Sequence, residues 1–183
     1  MLLDAFVISI IIALLFRHRL SNLKYLKWKW LNLFILAFLI KLAIIWLSFK
    51  HVEFIVKYHS ILHILSFGLL LFAALGNIKL PGFKLIFIGI LLNLIVIIAN
   101  GGQMPVSAKA LQQSGLSSYQ EVLKRGEYLT HKLLDKDTKL KFLADILYIK
   151  KPYPRSTAFS IGDVFIAMGV FWLIFKGTER KEG

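Results

Sequence analysis

Residues 84–100 read KLIFIGILLNLIVIIAN, and the chain then turns polar with Gly101-Gly102-Gln103-Met104-Pro105. Inside that run stands one polar side chain, Asn93. A segment with no solvated face reads as a helix buried on all sides or set in lipid. Apolar blocks at 2–16, 31–48, 58–76 and 158–175 repeat the pattern. The 183 residues are 57% hydrophobic with mean hydropathy +0.69, against about 45–50% apolar for an average soluble domain. Because the excess comes in blocks, the expected fold is all-α: a single membrane domain over 1–183, an integral membrane bundle of five transmembrane helices with a small outer-face helical loop at 101–157.

Charge orients such a bundle. The net charge is +13, and there is no cysteine. Without cysteine, disulfides, thiolate metal sites and a Cys nucleophile are excluded. The basic residues fall between the apolar blocks, which suits anchoring to anionic headgroups and not nucleic-acid binding; membrane lipids are the expected partners. Segment 17–30 (RHRLSNLKYLKWKW) holds five basic residues interleaved with Tyr25, Trp28 and Trp30, the mixture of a headgroup anchor, with a lipid-binding patch as the functional alternative. Segments 17–30, 77–84 and 176–183 carry ten Lys and Arg in thirty residues, whereas the start of the chain and 49–57 carry two. The expected placement is a multi-pass protein of the bacterial cell (inner) membrane, N-terminus outside and C-terminus cytoplasmic. The first block has neither a basic leader nor a small-residue cleavage site, so it is expected to be a retained span.

Polar residues inside the blocks are the functional candidates. Lys41 costs about 2.5–3.5 kcal/mol at a helix centre unless it snorkels or finds an acidic partner. His59 and His63 share a helix face at i, i+4, which fits a pair of interfacial histidines; with no third ligand in sequence, no metal or other cofactor is expected. Asp163, one turn inside the last block, is the leading catalytic candidate. Small neighbours Ser160, Gly162 and Gly169 permit close helix approach. The plainer alternatives are that Asp163 caps the helix start, where the macrodipole favours its charge, or pairs with Lys41. Asp145 sits in the apolar run FLADILYI (142–149), expected as an interfacial helix stopped by Pro152 and Pro154. If Asp145 and Asp163 meet, one can act as base and the other as acid in hydrolysis of a carbonyl group. Asn100 and the amides of Gly101 and Gly102 are then the candidates to hold the oxyanion, with Ser160 lining the substrate side. Elsewhere in the loop, Ser107 is expected to cap a helix ending at Gly115, Ser118 and Glu121 to form a capping box for one ending near Gly126, and 135–138 to turn.

The N-G-G-x-M-P motif at 100–105, L-x-D-I at 143–146 and S-I-G-D-V at 160–164 resemble an uncharacterised bacterial multi-pass membrane family, a domain of unknown function. The resemblance covers most of the chain and implies membrane location without an activity. Over about twelve residues the last span is also similar to the lipoprotein signal peptidase family, whose last span opens F-N-x-A-D; here it reads Phe159-Ser160-Ile161-Gly162-Asp163. That similarity implies a catalytic role for Asp163, and the family's N-x-G element has an echo in Asn100-Gly101-Gly102. Ser160 and Gly162 depart from its Asn and Ala, and Asp145 lacks the N-x-x-D-R surroundings of the family's other aspartate.

Two function classes follow. One is a binding, assembly or carrier component that recognises a lipid or membrane-protein partner through its outer loop. The other is a membrane-embedded aspartyl hydrolase using Asp145 and Asp163. An ion or proton carrier using Asp163 and Lys41 ranks below both.

Overall fold

The computed structural model describes residues 2–150 and 157–179. The chain is mostly helical. Its long helices are α1 (Leu2–Leu15), α2 (Leu31–Ser48), α3 (Glu53–Gly76), α4 (Phe83–Ala99) and α7 (Ile161–Thr178), with short α5 (Ala108–Gln113) and α6 (Ser117–Lys124) between the last two. By length and composition α2, α3 and α7 suffice to cross a membrane; α4 and residues 3–15 of α1 are apolar but shorter. In space the order is α1, α7, α4, α3, α2, so α7 lies between α1 and α4 although it comes last in sequence.

Glycines set the α4–α7 contact. A Cβ on Gly82 would strike the carbonyl of Gly169, and one on Gly89 would strike the carbonyl of Gly162. Both pairs are spaced by seven residues and run antiparallel, so two backbones touch along one seam. Around it pack Phe67, Phe83, Ile86, Ile90, Leu94, Ile97 and Leu173.

Each end of the bundle is tied by an asparagine at a helix C-terminus. Asn77, following α3, accepts from the Lys29 amide (2.8 Å) and donates to the carbonyls of Lys29 (2.7 Å) and Ala73 (2.8 Å). Asn100, following α4, accepts from the Lys139 amide (3.0 Å) and donates to the carbonyls of Lys139 (3.0 Å) and Val96 (2.9 Å). The Asn77 end also gathers the first loop against the end of α7: Arg19 donates to the Thr178 carbonyl (2.9 Å) and Asn22 to that of Glu179 (2.8 Å). Segments 17–30 and 77–84 and the described part of 176–183 thus meet at one end, and the long loop covers the other.

The loop departs from an all-α reading. It contains β1 (Met104–Val106) paired in parallel with β2 (His131–Leu133), and β3 (Leu147–Ile149) paired antiparallel with β4 (Thr157–Phe159). The helix expected over 142–149 is absent. A single 3₁₀ turn (Lys141–Leu143) gives way to Asp145, whose amide donates to the Pro105 carbonyl (2.9 Å) and whose carbonyl accepts from Ser107 (3.0 Å). A short apolar run does not by itself distinguish strand from helix, and here long-range pairing decides. Pro152 and Pro154 lie outside the described residues. Ser107 does cap α5, its Oγ accepting from Ala110 (3.3 Å), and Asp135 and Thr138 close the expected turn. The Ser118 capping box does not form: α6 starts two residues earlier, at Ser117 with Leu116 as its N-cap, and has no side-chain cap. Gly115 turns so tightly out of α5 that Ser118 is already inside the next helix.

Candidate functional site

The long loop and four helices converge on one small polar cavity of about 80 Å³. Lys41 reaches it from α2, His63 from α3, Asn93 from α4, Asp163 from α7, and His131 and Asp145 from the loop. Phe67, Ile97 and Met104 complete its wall.

Local backbone structure aims each group. Asp163 is the third residue of α7 and closes a capping box: Ser160 Oγ accepts from the Asp163 amide (3.0 Å), and Asp163 Oδ2 accepts from the Ser160 amide (3.1 Å). Its other oxygen accepts from Asn93 Nδ2 (3.0 Å), while Ser160 Oγ donates to Asn93 Oδ1 (2.8 Å). One asparagine inside α4 therefore binds both members of the α7 cap. Asp163 is a helix cap and a cavity wall at once.

Asp145 and His131 are placed by the strands. β1 takes β2 on one side and Asp145 on the other, which brings the two side chains together with His131 Nε2 3.6 Å from Asp145 Oδ2. Burial, reinforced by Asp163, pushes the Asp145 carboxyl well up, partly countered by Lys41. Burial also pushes the His131 imidazole well down, as do Lys41 and His63. Both shifts favour the neutral forms of the two groups across this long contact. The second Asp145 oxygen is buried without a hydrogen-bond partner. His63 Nδ1 donates to the Gly102 carbonyl (2.7 Å), and its Nε2 is likewise buried without a partner. The Lys41 ammonium lies 5.2 Å over the Phe67 ring, with no carboxylate within 4.0 Å among the described residues.

A second chamber of about 340 Å³ lies on the loop side. Val106, Leu111, Leu116 and the rings of Tyr119 and Tyr128 line it, and His131 and Asp145 belong to its wall as well. The two tyrosine rings meet edge to face at 5.1 Å, and Tyr128 packs on His131 at 5.4 Å. Burial pushes the Tyr119 phenol up, so it stays protonated.

The structure thus places Asp145 and Asp163 around one cavity. It does not bring the predicted oxyanion group there. Asn100, Gly101 and Gly102 lie outside the cavity wall, and the Asn100 side chain and the two glycine amides are committed elsewhere. Gly101 donates to Ile98 (3.2 Å) and Gly102 to Ile97 (2.8 Å), the two bonds of a Schellman C-cap. The Asn100 amide clamps Lys139. Ser160 is buried behind the Asp163 carboxylate and does not line the cavity. The two histidines also separate: His59 bonds locally to the Val56 carbonyl (2.8 Å), whereas His63 is buried. Among the described residues no three His, Cys, Asp or Glu side chains stand close enough to hold a metal ion. Sequence reasoning missed His131, Tyr119 and Tyr128 altogether, because only the β1–β2 pairing carries that part of the loop to the bundle. Asn93 carried a signal, as the one polar residue in its helix.

These features define a mostly helical protein with membrane-length apolar helices and a polar cluster under a folded loop. The chain belongs to a family of unknown function, DUF5317, which matches residues 25–175. It is also similar to an uncharacterised protein of Thermotoga maritima, 29% identical over 171 residues, covering 93% of this chain and 88% of that one. No solved structure matches it.

Proposed function

We propose that this is a five-span membrane protein that binds a membrane-derived amphiphile from its loop side. The carrying observation is that Asp145 and His131 belong to both chambers. An apolar tail fits the aromatic outer chamber, while the polar end meets Asp145 and the inner cavity. The unpartnered Asp145 oxygen and His63 Nε2 support this reading, because buried polar atoms without partners are costly and a ligand hydroxyl or amide satisfies them. Three helices are long enough to span; α4 at about 26 Å and α1 at about 21 Å span a hydrocarbon layer of about 30 Å with local thinning and help from flanking basic residues. The basic 17–30 end faces the cytoplasm on the charge rule, and the 101–157 loop faces outward.

The test is native mass spectrometry after gentle detergent extraction. Wild type is expected to retain one amphiphile. Ala158→Trp and Leu116→Trp, which fill the outer chamber, are expected to lose it while their unfolding temperatures stay near wild type. The same bound species in all three proteins ends this reading.

A second reading, membrane-embedded hydrolase, is favoured by one observation: two carboxyl groups share the inner cavity. It requires Asp145 and Asp163 both to act on an ester or amide carbonyl. Hydrolysis surviving in Asp145→Asn or Asp163→Asn rejects it.

A further inference from the structure

At the opposite end of the bundle, a groove of about 730 Å³ runs from the α3–α4 turn to the side of α7. Its floor is apolar, from Leu80, Pro81 and Leu85, and Trp172 forms one wall. Lys79 and Lys84 stand at its edge, both exposed. Neither has a carboxylate within 4.0 Å among the described residues. The nearby Lys176 ammonium lies 5.8 Å over the Trp172 ring and is already neutralised by Glu179 at 3.0 Å. The groove therefore combines a greasy trough, an interfacial indole and two unneutralised cations. This distribution matches one anionic glycerophospholipid, with chains along Leu85 and Trp172 and the phosphate between the lysines.

We propose that this groove is a specific site for an anionic phospholipid, independent of the ligand site under the loop. Charge complementarity selects the occupant: a zwitterionic lipid gains the same apolar contact but brings its own cation to the two lysines. A free phosphate compound has the charge but nothing to place on the apolar floor.

The test is a titration of the full chain in neutral detergent with phosphatidylglycerol and phosphatidylcholine of equal chain length, read by native mass spectrometry. Phosphatidylglycerol is expected to bind more tightly by roughly thirtyfold, the preference two interfacial lysines supply. Lys79→Gln/Lys84→Gln is expected to abolish that preference. The control Lys124→Gln/Lys132→Gln, in the loop, is expected to keep it. Equal affinity for the two lipids in wild type, or an unchanged preference in Lys79→Gln/Lys84→Gln, overturns the proposal. Displacement of the lipid by soluble glycerol 3-phosphate overturns it too, in favour of a phosphate site. All four lysines are exposed or half-buried surface residues, so matching unfolding temperatures are expected throughout.

Discussion

Asp145 carries the sharpest pH signature. The folded protein holds its proton more tightly than the unfolded chain does. Below about pH 4 both states are protonated and the residue contributes no pH dependence. As pH rises through the ordinary carboxylate range, the unfolded chain releases its proton and the folded protein keeps it, so stability falls. Asp145→Asn is therefore expected to raise the unfolding temperature at pH 7, with the gain shrinking toward pH 4 in a thermal melt in detergent. His131 has the opposite sign. Below its ordinary value near 6.5 the unfolded chain takes a proton that the buried ring refuses, so stability falls as pH drops. His131→Gln is expected to flatten the acid side of the same curve. Asn93 is tested by stability alone. Asn93→Ala leaves the Ser160 hydroxyl and one Asp163 oxygen without their partner and is expected to cost about 1–3 kcal/mol by denaturant titration. Ser160→Ala, which loses the cap, is expected to cost about 1 kcal/mol.

Among the elements, two adjacent glycines, both at positive φ, have different reasons for being glycine. Gly101 sits at φ +72° in open space, whereas Gly102, at φ +90°, would drive a Cβ into the backbone of Ser60. Gly101→Ala is expected to cost about 1 kcal/mol, the left-handed penalty alone, and Gly102→Ala clearly more, measured side by side by chemical unfolding. In sequence the pair reads as an oxyanion cradle; in structure it ends a helix. Hydropathy located the long helices well: α2 spans 31–48 as expected, and α7 starts three residues late because Ser160 caps it. α3 starts at Glu53, not near 58, because Glu53 and Lys57 fall on an exposed face of a continuous helix. Legibility stopped where contacts became non-local. Asp145 and Asp163 were visible as expensive residues in apolar runs, but Asp145 reaches the cavity through a strand bridge to Val106 that no local pattern encodes. His131, in a polar stretch, had no such contrast to mark it.

For the whole molecule, the absence of cysteine gives a clean test of sidedness. Single substitutions Lys27→Cys and Lys124→Cys in intact cells are expected to react oppositely with an impermeant maleimide, the second labelled and the first protected. Labelling of both, or the reverse pattern, refutes the orientation proposed above. The glycine seam imposes a further property, independent of sidedness. Where Gly82 meets Gly169 and Gly89 meets Gly162, backbone lies against backbone, and Phe83, Ile86, Ile90 and Leu173 fill the surroundings. On that side the polar cavity is therefore walled by main chain: the α4–α7 interface leaves no passage between these two helices, and widening it requires moving a backbone, not turning a side chain.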